Sequence, residues 1–205
     1  MTKSKLSQSN SNPQKKRTPK VPKRITETYL HNAGLYYIER YATSTSHFRT
    51  VMLRKVKRSC LHHKDQNYED CAKMVDELIT KFERSGLLND DLYITSMVSS
   101  YRRKGLSKRM ITQKLMMKGI QSETIQNYLS RHDEQKHEDL HRAELKAAAI
   151  HCRKKKLGAY SGINAAEPEK QLARLARAGF SFDIAKNILG MTENEIQALI
   201  YNEEL

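Results

Sequence analysis

Residues 114–129, KLMMKGIQSETIQNYL, can be laid on residues 174–189, RLARAGFSFDIAKNIL, at a constant offset of 60. Leu115 falls on Leu175, Gly119 on Gly179, Ile120 on Phe180, Asn127 on Asn187 and Leu129 on Leu189. A fainter copy lies upstream, where Ile111, Leu115 and Lys118 fall on Phe48, Met52 and Lys55 at an offset of 63. A repeat this short cannot bury its own apolar face, so neighbouring copies must stack. The repetition therefore predicts an all-α, elongated, curved array of three tandem three-helix repeats, not a globule with a deep pocket.

Local patterns agree with helix from Arg24 onward. Cys71, Met74, Val75, Leu78 and Phe82 share one face, and Gly86 follows as a C-terminal cap. Asn89 or Asp90 starts the next helix, with Tyr93, Met97, Val98 and Tyr101 inward and Gly105 at its end. Ser107 caps a second helix ending at Gly119, and Ser122 caps a third. Val56 stands where the other two copies have Gly, which leaves the end of that helix open. Gly34 falls inside a predicted helix, at a cost of about 1 kcal/mol relative to Ala. No alternation typical of strands occurs. The expected divisions are 1–23, a disordered basic arm; 24–85; 86–132; and 133–205, with a loop near 158–168.

Charge is concentrated at the start. Residues 1–24 hold eight Lys or Arg and no acid, more than half of the net charge of +14. Such an excess suits a polyanionic partner, nucleic acid first. Three clusters extend it into the helical region: Arg54, Lys55, Lys57 and Arg58; Arg102, Arg103, Lys104, Lys108 and Arg109; and Arg153, Lys154, Lys155 and Lys156. Each is a candidate contact with a partner or with nucleic acid, against the plainer reading of a solvated helix face. Tyr93, Tyr101 and Tyr128 lie at core spacing, which favours packing over base stacking. Cys60, Cys71 and Cys152 form no C-x-x-C, so inert thiols in a reducing cytoplasm are expected. No apolar run approaches the about 20 residues a membrane span needs.

One motif points elsewhere. Residues 137–141 read HEDLH, and H-E-x-x-H on a helix sets two His on one face to hold zinc, with the Glu activating a water. The extended form fails, with Glu144 where Gly is required and Ala147 where His is required. His151 would lie about 15 Å further along a continuous helix, too far to share the ion. The polar surroundings suit an exposed helix face, with a Glu138–Arg142 pair at i, i+4. No metal is expected. Asp90 and Asp91 serve a helix start more readily than acid–base chemistry. No phosphate-cradling glycine motif occurs, so no nucleotide cofactor is expected.

The segment GLLNDDLYITSMVSSYRRKGLSKRMITQKLMMKGIQSETIQNYL resembles the central repeat of the RecX family. The marks are Gly86, Leu88, Asp90, Asp91, Tyr93, Leu115, Lys118, Gly119 and Ile120. YYIERYATSTSHFRTVMLRKVKRS is similar to the family's first repeat, and KKKLGAY with LARLARAGFSFDIAKNIL to its third. The resemblance implies a cytoplasmic, non-catalytic regulator of the RecA recombinase. Such proteins bind the RecA filament on single-stranded DNA and restrain its ATPase, strand-exchange and co-protease activities. Contact with DNA would come through the filament, and a monomer is expected. The competing reading is a basic helical nucleic-acid-binding protein without a RecA partner.

Overall fold

The computed structural model describes residues 21–137, 139–162 and 166–201, and among them regular structure is entirely helical. Ten α-helices follow in order: α1 Glu27–Ile38, α2 Thr45–His62, α3 Tyr68–Arg84, α4 Asp90–Arg103, α5 Lys108–Met116, α6 Ser122–His137, α7 Leu140–Lys155, α8 Pro168–Arg177, α9 Phe182–Gly190 and α10 Glu193–Tyr201. A short 3-10 turn, Gly158–Tyr160, follows α7. Side chains set most starts: Thr26, Ser44, Asn67, Asn89, Ser107, Asp139 and Ser181 each accept a backbone N–H from the first turn they precede. Ser122 is the first residue of α6 rather than its cap.

The apolar stripes close three separate cores. Phe48, Met52, Val56, Val75 and Phe82 join α1–α3. Ile94, Val98, Ile111, Leu115, Ile125 and Leu129 join α4–α6. Ala148, Cys152, Leu175, Ile184, Ile188 and Ile196 join α7–α10. Burying each Leu, Ile or Phe contributes about 1.5–3 kcal/mol, so cores of this size need support from neighbours. Gly34 explains its place in α1: a Cβ there would sit 2.9 Å from the Phe82 ring and 3.1 Å from Phe48. The glycine lets α1 lie against both rings.

Two departures from strict repetition have local causes. α5 and α8 end at Gly119 (φ 81°) and Gly179 (φ 88°), where Ile120 and Phe180 donate back to the carbonyls of Leu115 and Leu175. Val56 disfavours that left-handed turn and is fully buried, so α2 runs on to His62. In the third unit, Gly190 ends α9 where α6 continues through Ser130. Thr192 and Glu195 then exchange hydrogen bonds as a capping box and open α10. The boundary expected at 132/133 falls inside α6, and that at 85/86 falls in the turn before α4.

Of the expected disordered arm, residues 1–20 lie outside the described residues. Residues 21–23 are described, and their backbone is tied down: the Lys23 carbonyl accepts from Ser59 Oγ at 2.9 Å, and the Pro22 carbonyl lies 2.9 Å from His63 Nε2. Gln66 pairs with both backbone groups of Ile25. Part of the loop expected near 158–168 is the 3-10 turn, and residues 163–165 lie outside the described residues.

The joints between units repeat one device. Ser44, at the start of α2, accepts from its own helix and donates its hydroxyl to the Lys118 carbonyl at 2.5 Å. Ser107, at the start of α5, accepts likewise and donates to the Ala178 carbonyl at 2.7 Å. Lys118 and Ala178 each precede the left-handed glycine of the next unit. A Cβ on Gly119 would collide with Ser46 Oγ at 2.1 Å, and one on Gly179 with Ser107 Oγ at 2.6 Å. A carboxylate from the next unit completes each joint: Asp90 accepts from Thr45 N at 2.7 Å, and Glu144 accepts from Lys108 N at 3.1 Å. Asp90 therefore caps the neighbouring unit's helix, while Asn89 caps its own.

Candidate interaction surface

The three basic clusters fare differently. On α2, Arg54, Lys57 and Arg58 are exposed and Lys55 is half-buried beside Lys23, Arg24 and Tyr36. Where α2 meets the second unit, Lys118 Nζ stands 3.2 Å from His47 Nε2. Burial, with the charges of Lys118 and Arg54, holds the His47 imidazole below its ordinary value. Around the imidazole the edge of this joint is thus cationic, with Lys118 and Arg54 both facing His47.

In the middle cluster, Arg103 and Lys104 are exposed at the end of α4, and Arg109 is exposed at the start of α5 with Lys108 half-buried. Arg102 is a correction. Its side chain is 6% exposed and forms a two-point bond to Asp133, Nε to Oδ1 at 3.1 Å and Nη2 to Oδ2 at 2.5 Å. Nη1 reaches Glu144 at 2.7 Å and the Leu106 carbonyl at 3.2 Å. Burial disfavours the guanidinium charge, but Asp133 and Glu144 outweigh it and raise Arg102 above its ordinary value. Burial alone would lift the Asp133 carboxyl. The hydrogen bonds from His132 and Arg102 outweigh it and hold Asp133 below the usual carboxylate range. Arg102 is therefore an internal tie between α4, α6 and α7, unable to meet a partner from the surface. The signal was in the sequence: Ile94, Val98 and Arg102 stand at i, i+4 and i+8, one inward stripe.

The third cluster ends α7. Lys154, Lys155 and Lys156 are exposed, and half-buried Arg153 donates to Tyr201 Oη at 2.6 Å. Lys154 Nζ donates to the Lys104 carbonyl at 3.0 Å, so the basic ends of α4 and α7 adjoin. Gly105 permits that approach; a Cβ on it would sit 2.9 Å from the Ala147 carbonyl. Cations at helix C-termini also favour the helix dipole. The fold thus gives Arg103, Lys104 and Lys154 one shared exposed patch.

The tyrosines divide. Tyr93 is 7% exposed, and burial pushes its hydroxyl up to about 12. Tyr128 donates to Asp91 at 2.5 Å. Neither is arranged as a stacking platform. Burial likewise pushes the Cys152 thiol up to about 12, unfavourable to a reactive thiolate.

The HEDLH stretch is not one helix. α6 ends at His137, and Asp139 accepts from His141 N to start α7. The spacing that would aim both His at one ion needs a continuous helix, which the Asp139 cap interrupts. Glu138 lies outside the described residues, and with it the expected Glu138–Arg142 pair. Among the described residues, no group of three or more His, Cys, Asp or Glu could hold a metal. No described helix is long and apolar enough to cross a membrane.

The model for the family domain described as RecX, second three-helix domain, matches residues 89–129, the second unit. The chain is 40% identical over 178 residues to "Regulatory protein RecX" of Myxococcus xanthus, covering 85% of this chain and 91% of that one. It is 27% identical to the protein of the same name from Agrobacterium fabrum, covering 87% and 91%. The Streptomyces coelicolor protein of that name is 29% identical over 116 residues, 56% and 57% of the two chains. No solved structure matches. Three helical cores in series, the match to the second of them and the relative spanning most of the chain agree: this chain belongs to the RecX family.

Proposed function

We propose that this chain regulates RecA by lodging on the RecA filament on single-stranded DNA, where it restrains ATP hydrolysis, strand exchange and co-protease activity. It acts by occupancy, without chemistry of its own. The observation that carries this reading, beside the family, is the adjoining patch of Arg103, Lys104 and Lys154 on the ends of α4 and α7. The exposed cations of α2 form a second contact. A nucleoprotein filament is a long polyanion, and tandem contacts along it raise affinity beyond that of one unit when their spacing matches.

The test is a titration of RecA ATPase on single-stranded DNA, with RecA from the same source. Inhibition at or below stoichiometric amounts is expected, and no effect would defeat the reading. Reversing Arg103, Lys104 and Lys154 should weaken inhibition at physiological salt. Arg102 is left unchanged, because reversing it would disrupt the fold instead. Tight, steeply salt-dependent nucleic-acid binding with unaltered RecA would favour the competing reading.

A further inference from the structure

A groove of about 1020 Å³ lies between the second and third units. Met116, Met117, Leu140 and Ile184 supply its apolar lining, and Lys108 and Arg109 stand on it as cations. Met116 is 52% exposed, Met117 77% and Leu140 42%. None of these three belongs to any of the three cores. The acids on the wall, Asp133 and Glu144, are already engaged by Arg102 and by the backbone N–H of Lys108. The side-chain charges of Lys108 and Arg109 have no ion-pair partner among the described residues.

The repeat shows that this chemistry is not required by the joint. At the offset of 63, Met116 and Met117 correspond to Leu53 and Arg54, and Lys108 and Arg109 to Thr45 and Ser46. At the offset of 60, Ile184 corresponds to Thr124. The first joint holds together without a methionine pair or a cation pair at these positions. The exposed methionines of the second joint therefore serve something other than stacking of units.

We propose that this groove docks an acidic amphipathic helix of a partner protein. Methionines adapt to irregular apolar side chains, which suits a helix laid into a groove with anchors at i, i+3 or i+4, and i+7. The uncommitted Lys108 and Arg109 select acidic residues beside those anchors. A nucleic-acid strand fits less well, because no Phe, Tyr or Trp lines the groove for bases to stack on and His141 offers only one small ring. This docking stands apart from the filament reading and can fail or succeed without it.

The test uses the full chain and a labelled synthetic helix of about 18 residues, with Leu anchors flanked by Glu, followed by fluorescence anisotropy. A version with Lys in place of Glu and a single-stranded oligonucleotide serve as comparisons. The acidic helix should bind more tightly than the basic one. Met117→Lys and Leu140→Lys should each weaken it about tenfold, with unchanged circular dichroism, because both side chains are exposed. Arg109→Glu should reverse the preference between the two helices. Equal binding of both helices, or binding indifferent to Met117→Lys, would overturn the proposal. So would self-association abolished by Met117→Lys, which would make a second copy the occupant. Peptide affinity that rises on deletion of residues 1–20 would make the chain's own arm the occupant. An oligonucleotide whose binding is lost in Met117→Lys would make the groove a nucleic-acid site.

Discussion

The joint between the first and second units and the joint between the second and third are built on one plan and finished differently. Each has the serine donating across to a carbonyl before a left-handed glycine, and each has a carboxylate capping the helix that the serine begins. At the first joint the carboxylate, Asp90, stops there. At the second, Glu144 also takes Arg102, which holds Asp133, and this chain of charges is buried at 6%, 2% and 17% exposure for Arg102, Asp133 and Glu144. The shared plan sets how units register. The added ion pairs decide how firmly two units act as one. Buried ion pairs contribute little over apolar packing, yet they are costly to break one-sidedly. The second joint is therefore intolerant of partial opening, and the first is not.

The largest effect should follow from Arg102→Met, which leaves Asp133 and Glu144 buried without their cation. A loss of about 3–5 kcal/mol is expected in urea unfolding followed by circular dichroism. Adding Asp133→Leu should recover part of it, because fewer charges are then stranded. Next come Gly119→Ala and Gly179→Ala. Each forces Ala into the left-handed region, at about 1–2 kcal/mol, and drives a Cβ into a serine. Gly119→Ala should detach the first unit as a separate unfolding transition, whereas Gly179→Ala should lower one joint transition of the second and third. Ser44→Ala and Ser107→Ala remove a cap and a cross-joint bond together, at about 1–2 kcal/mol each. The same asymmetry should appear, with only Ser44→Ala splitting the transition.

Acid distinguishes the joints by where stability is lost. Asp133 is held below its ordinary value in the folded chain. Its contribution is complete above the unfolded carboxyl value, about 4, and is lost as pH falls through the lower folded value. Asp133→Asn should abolish that dependence. His47 is also held low, so below its ordinary value of 6.5 the unfolded chain takes up a proton more readily than the folded one. The first joint should begin to weaken there, by the smallest of these effects. Thermal melts of His47→Gln across pH 7 to 5 should lose that share of the early weakening and keep the share from His151 on α7, which burial also holds low.

The repeat was readable because the residues that make it are short-range. Leu115, Gly119 and Ile120 lie within one helix end, and Leu175, Gly179 and Phe180 repeat them. Val56 marked the place where the first unit departs, and its burial explains why α2 continues. The joints were not readable, because Ser44 finds Lys118 and Ser107 finds Ala178 at separations of 74 and 71 residues, longer than one repeat. Arg102 looked like part of a surface run because RRK is basic by composition. Its partners Asp133 and Glu144 stand 31 and 42 residues away, where only the fold brings them. HEDLH misled by assuming one helix, although Asp139 before an apolar residue is itself a helix-start signal.

Native-state hydrogen exchange on the full chain compares the joints most directly. Amides in α4–α6 and α7–α9 should share one opening free energy, and those in α1–α3 should open separately at a lower one. A single opening for all three units, or α7–α9 opening apart from α4–α6, would contradict the unequal joints.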